Sequence, residues 1–182
     1  MIVTASAADL IGARLIMFGG VAGPLAAASI IVDILIQAVT QDDALLPYSS
    51  ALEAILYFYA AYALIKYMLE DHVITRDELF AVGATFTLVA WAFAYVFVVY
   101  QAIEPDSFTA AVDPSGDRTW VELLFLSVTT LSSTGLSDVT PITPFARGLI
   151  MLEELAGVAY IAMVVSRLVG LLVLNPMGAK RR

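Results

Sequence analysis

The chain has 182 residues, of which 60% are hydrophobic and 14% are charged, and it contains no cysteine and one histidine. This composition is too apolar for a soluble globular domain, so the lipid bilayer is the expected solvent. The lack of cysteine excludes disulfides and thiolate metal sites, and the single histidine excludes a multi-histidine metal site. A formal net charge of -8 excludes nucleic acid as a partner, because binding it needs clustered cations.

Four apolar stretches are long enough to cross a bilayer, since a spanning helix needs about 20 apolar residues. They cover residues 10–39, 45–68, 79–103 and 145–174. Basic residues flank the connection between the second and third stretches and also end the chain, at Lys66, Arg76, Lys180, Arg181 and Arg182. Because basic residues favour the inner side, both termini are predicted to face the cytoplasm.

A long insertion at residues 104–141 separates the third and fourth stretches. Within it, residues 120–131 are predicted to form a helix of about a dozen residues, which spans roughly 18 Å. A helix of that length cannot cross the bilayer, so we predict a re-entrant helix that enters from the outer side.

The residues after this short helix are rich in hydroxyl groups and lack helical periodicity, reading Thr-Leu-Ser-Ser-Thr-Gly-Leu-Ser-Asp from Thr130. Polar backbone at membrane depth must be buried in protein or line a water-filled path. Carbonyl and hydroxyl oxygens in such a run can replace the hydration shell of an ion. The negative C-terminal end of the short helix points at the same place, so both effects favour a cation.

This segment resembles the pore helix and selectivity filter of potassium channels, usually written T-x-x-T-V-G-Y-G-D. The last six positions of that pattern are filled by Ser133, Thr134, Gly135, Leu136, Ser137 and Asp138. Pro141, Arg147 and Gly157 follow at the spacing of the family's proline, basic residue and inner-helix glycine hinge. The likeness covers residues 79–170 and implies that four chains assemble around one axis.

The resemblance also implies roles for individual residues. K+ or Na+ is expected to bind the backbone carbonyls of Ser133, Thr134 and Gly135, with weaker participation of Leu136 and Ser137. A hinge is expected at Gly157.

Glu153 and Glu154 lie on different faces of the last span. Glu154 is the one predicted to contact the short helix, and the alternative is a contact between subunits. Three residues are thus expected to support the filter: Asp138, Glu154 and Thr130.

Two substitutions depart from the potassium-channel pattern. Ser137 replaces a glycine whose backbone is left-handed in the family, a conformation that costs a non-glycine residue about 1–2 kcal/mol. Leu136 replaces the aromatic residue that braces the filter from behind. A filter with one glycine resembles the pore loops of the Trk, Ktr and HKT transporters, so strict potassium selectivity does not follow.

The predicted fold is an all-α integral membrane protein with four transmembrane helices, a re-entrant helix and filter loop between the third and fourth, and a homotetrameric assembly. Residues 1–75 would form two peripheral helices and residues 76–182 the pore domain. The predicted function is passive conduction of monovalent cations, potassium foremost, in a prokaryotic plasma membrane, with membrane lipids as neighbours and without a cofactor or enzymatic activity. The alternatives are a poorly selective sodium and potassium channel and a non-conducting membrane scaffold.

Overall fold

The computed structural model describes residues 46–70 and 76–174. Three long apolar helices are each able to span a membrane: α1 (Leu46–Glu70), α2 (Arg76–Ile103) and α4 (Pro144–Leu174). They confirm three of the four predicted spans to within three residues at each end. The span predicted at residues 10–39 lies outside the described residues.

Aromatic side chains join α1 to α2. The ring of Tyr57 stacks on Tyr95 at 5.7 Å between centroids, and the ring of Phe58 meets that of Phe93 edge to face at 5.2 Å. Such pairs add roughly 0.5–1.5 kcal/mol each beyond the area they bury. The second predicted span is therefore fixed to the helix that carries the rest of the fold.

The predicted short helix is present as α3 (Trp120–Leu131), with the predicted bounds. Its start is a capping box: the Thr119 side chain accepts from the Glu122 amide, and the Glu122 carboxylate accepts from the Thr119 amide. Leu123 and Leu126 are buried in the core against α2, together with Phe93 and Phe97. At 12 residues, α3 is too short to cross a bilayer.

A two-stranded antiparallel sheet, which the sequence did not predict, flanks the C-terminal end of α2 and the start of α4. β1 (Phe108–Ala110) pairs with β2 (Val139–Pro141), with Thr109 opposite Thr140. Phe108 and Val139 are buried in the same core as Leu123. The sheet therefore ties the chain that follows α2 to the chain that enters α4.

Hydrogen bonds beside the sheet join the same two helices directly. The Tyr100 hydroxyl on α2 lies 2.9 Å from the Thr143 hydroxyl, which also accepts from the Ala146 amide in the first turn of α4. The same tyrosine donates to the Glu104 carboxylate. The start of α4 is thus held to the end of α2 by side chains as well as by the sheet.

Candidate functional site

The loop that leaves α3 folds back onto the end of that helix. The Ser133 amide donates to the Thr130 carbonyl at 2.8 Å. The amides of Thr134 and Gly135 both donate to the Thr129 carbonyl, at 2.9 and 3.1 Å. The last carbonyls of a helix have no partner within it, so these bonds satisfy them and fix the loop.

The direction of the loop's carbonyl groups follows from these bonds. The described peptide bonds are trans, so each N–H points opposite to the C=O of the preceding residue. Because the amides of residues 133–135 point at α3, the carbonyls of Ser132, Ser133 and Thr134 point away from it. Residues 133–136 are exposed within one chain. The structure therefore presents consecutive carbonyl oxygens on the open side of the loop.

Side-chain hydroxyls reinforce this arrangement. Ser132 Oγ and Thr134 Oγ1 each donate to the Thr129 carbonyl, at 3.2 Å, and lie 3.0 Å from one another. Thr129 therefore anchors the loop through a single carbonyl oxygen, a role that the sequence analysis did not give it. Thr130, predicted as a filter support, is buried and holds the Ser133 amide through its own carbonyl.

Two loop residues adopt left-handed backbone conformations, Gly135 with φ 63° and Ser133 with φ 57°. Glycine takes this conformation freely, whereas serine pays about 1–2 kcal/mol. Among the described residues Ser137 is not in this region. The penalty expected at Ser137 is therefore absent, and a comparable one falls on Ser133 at the inner end of the loop.

The outer end of the loop is less supported. The Leu136 side chain is 76% exposed, so within one chain it does not brace the loop against α3. Ser137 Oγ accepts from the Val139 amide at 3.1 Å, which leads the chain into β2. Asp138 is exposed and makes no side-chain hydrogen bond to another described residue. One chain alone therefore does not show the support predicted for Asp138.

The contact with α3 that was predicted for Glu154 is made by Glu153. Glu153 is fully buried and its Oε1 is hydrogen-bonded to Ser127 Oγ, while Glu154 is exposed. Ser127 Oγ also lies 2.7 Å from the Ala90 carbonyl oxygen on α2. Residues one position apart point about 100° apart on a helix, so only one of the two glutamates can face α3.

Gly157 lies on the same face of α4, four residues after Glu153. A Cβ on Gly157 would lie 1.9 Å from the Leu131 carbonyl oxygen and 2.8 Å from its carbon. Glycine therefore allows the backbones of α3 and α4 to touch at the point where the loop begins. The i to i+4 spacing from Gly157 was the sequence signal that could have distinguished Glu153 from Glu154. The predicted hinge at Gly157 stays a prediction, since α4 is a continuous helix across it.

Charged groups lie at the other end of α3. Hydrogen bonds from the Thr119 side chain and backbone lower the pKa of Glu122 from its usual value near 4.5. Arg118 is buried, donates to the carbonyls of Asp113 and Gly116, and lies 3.8 Å from the Glu122 carboxylate. A negative side chain in the first turn is favourable to the helix dipole. These contacts fix the start of α3 to the loop that precedes it, between β1 and α3.

Of three comparisons with known proteins, one gave a match. A family model described as "ion channel" matches residues 83–173, which is half of the chain and includes most of α2 and α4 and all of α3 and the loop. Searches of curated proteins and of solved structures found no match.

Proposed function

The chain belongs to the ion channel family, and on that premise we propose that it is one subunit of a homotetrameric channel that conducts monovalent cations, potassium foremost. It is an integral membrane protein with three helices long and apolar enough to span a membrane among its described residues. The observation that carries the proposal is the row of carbonyls from Ser132 to Thr134, which point away from α3 on the exposed side of the loop. Carbonyl oxygens in such a row can replace the hydration shell of a cation.

The fourfold assembly is supported by the loop and by the outer face of α3. One chain supplies one loop, and a ring of carbonyls around an ion needs several. Val121, Phe125 and Val128 are exposed along one face of α3 at helical spacing. A short helix that does not span the bilayer needs protein around it, and neighbouring subunits would provide that cover. A closed ring of identical subunits satisfies both requirements.

Within the ring, the carbonyls of Ser133, Thr134 and Gly135 would bind K+ or Na+, without a cofactor. The first two belong to the row described above, and Gly135 is the next position along the loop. The end of α3 adds a negative potential at the loop, which favours cations. The distribution of basic residues supports both termini in the cytoplasm. We propose a prokaryotic plasma membrane as the setting, because it suits a single-domain channel without cysteine. Lipids would surround the assembly, and Gly157 remains the proposed hinge.

The test is potassium flux into liposomes that contain the purified protein. Gly135→Asp should abolish the flux, because it places a side chain on a left-handed glycine and a charge in the ion path. Val112→Asp is the matched control, since residue 112 is 91% exposed between β1 and α3 and gains the same charge outside the filter loop. Flux that survives Gly135→Asp would refute the assigned path. An intact tetramer without flux in the wild type would favour a non-conducting scaffold.

A poorly selective sodium and potassium channel is the second candidate. It is favoured by the outer end of the loop, where Leu136 is 76% exposed and Ser137 replaces the second glycine of the family pattern. Selectivity needs several consecutive sites held in place. The reversal potential with potassium on one side and sodium on the other decides between the two: a value near zero identifies the unselective channel.

A further inference from the structure

Glu153 joins three helices at a point that water does not reach. Its side chain, on α4, is fully buried, and so are Ser127 on α3 and Ala90 on α2. The Ser127 hydroxyl oxygen is within hydrogen-bonding distance of both Glu153 Oε1 and the Ala90 carbonyl oxygen, the latter at 2.7 Å. Glu153 Oε2 has no hydrogen-bond partner among the described residues.

The protons available for these two contacts can be counted. A carbonyl oxygen only accepts, so the contact with Ala90 needs the one hydroxyl proton of Ser127. The contact between Ser127 and Glu153 then needs a second proton, and a carboxylate has none to give. With an ionised Glu153 the two acceptors would have to share that one proton, whereas each contact is a separate hydrogen bond when Glu153 is a carboxylic acid that donates to Ser127, which in turn donates to Ala90.

The surroundings agree with a neutral group. The titratable side chains of α2, α3 and α4 in this region are occupied elsewhere: Tyr95 stacks on Tyr57, Glu122 is bonded at the start of α3, Tyr160 donates to Val82, and Glu154 is exposed. No cation among the described residues pairs with Glu153. An unpaired carboxylate buried in this way would be strongly unfavourable.

We infer that Glu153 is a positioning residue that works as a neutral acid, holding α3 between α2 and α4 and thereby setting where the filter loop begins. The inference rests on the proposed channel function for its consequence, but not for its geometry. Ser127 lies four residues before Leu131, one helical turn from the contact with Gly157. Loss of the proton would remove one of the two bonds at Ser127 and weaken the attachment of α3 at that turn.

The first measurement is infrared spectroscopy of the wild type and Glu153→Gln near neutral pH. The wild type should show the carbonyl stretch of a buried protonated carboxylic acid, and Glu153→Gln should lack it. Glu154→Gln is the matched control and should retain it. A wild-type spectrum without that band, or a band that survives in Glu153→Gln, would overturn the inference.

The second measurement is potassium flux against pH. Wild-type flux or its preference for potassium should decline on the alkaline side as Glu153 loses its proton. Glu153→Gln should keep the neutral-pH behaviour and lose the alkaline decline, because the glutamine amide still donates to Ser127. Glu153→Ala removes the donor and should lose selectivity. A Glu153→Gln variant as impaired as Glu153→Ala would refute the neutral acid. Absence of flux in the wild type would refute the channel alone, since the infrared band decides the protonation independently.

Discussion

Replacing Gly157 by alanine should force α4 away from the end of α3. The added methyl group would lie 1.9 Å from the Leu131 carbonyl oxygen and 3.0 Å from its Cα. Ordinary contact begins near 3.5 Å, so the oxygen would have to withdraw by about 1.6 Å. The obstacle is backbone at the end of a helix, which has no rotamer to change, so the helices themselves must separate.

The expected loss of stability is the difference between two effects. Overpacking a well-packed contact costs about 1–3 kcal/mol, and a backbone obstacle favours the upper end. Alanine in place of glycine within a helix returns about 1 kcal/mol. The net loss is therefore about 2 kcal/mol per subunit. For a chain of this size such a loss lowers the melting temperature by roughly 4–8 °C.

Gly148→Ala is the matched control, because Gly148 lies in the same helix and a Cβ there meets nothing within 4 Å. It should leave the melting temperature unchanged or raise it. Melting of the detergent-solubilised assembly would be followed for both variants, together with the reversal potential in liposomes. Gly157→Ala should also alter selectivity, because the shift falls where the loop begins. A Gly157→Ala protein with wild-type melting and selectivity would refute the close contact.

Three further predictions use the same melting and flux measurements. Thr119→Ala removes the side-chain hydrogen bond, the largest of the contacts that lower the pKa of Glu122. The wild type should lose the stabilisation from that bond as the pH falls below 4.5 through the lowered pKa, whereas the variant should be about 1 kcal/mol less stable above that range and respond less to acid. Tyr100→Phe removes the hydroxyl link to Thr143 and should cost about 0.5–1.5 kcal/mol, with an unchanged melting temperature as the contrary result. Ser133→Gly relieves a left-handed serine and should raise stability by about 1 kcal/mol while flux persists, and a lower melting temperature would contradict the strain.

The helices could be predicted from sequence because their signals are local. Apolar length gave three of the spans to within three residues, and the bounds of Trp120–Leu131 followed from its apolar run and the hydroxyl-rich residues after it. The capping box of Thr119 and Glu122 adds a local start signal of the same kind. Such signals depend on neighbouring residues only, so they survive without knowledge of the packing.

Two of the remaining features depend on contacts between distant parts of the chain. β1 and β2 have three residues each and are separated by 28 positions, so nothing local marks either strand. The choice between Glu153 and Glu154 depends on which face of α4 meets α3, which is fixed by the approach at Gly157. These two features need the tertiary arrangement before they can be predicted. The left-handed conformation of Ser133 accompanies local bonds from the amides of Ser133 and Thr134 to the end of α3, and it was missed because serine rarely takes that conformation.

The contacts along α4 attach its first half to the other helices. Its start is held by the bond between Tyr100 and Thr143, its middle by the backbone contact at Gly157, and one turn later the Tyr160 hydroxyl donates to the Val82 carbonyl at 2.6 Å. The helix continues beyond the last of these contacts, for about 21 Å from Tyr160 to its end at Leu174. A bend at the hinge proposed for Gly157 would therefore have to break the contacts at Gly157 and Tyr160, whereas a bend beyond Tyr160 would move only the last part of the helix and leave the filter loop in place.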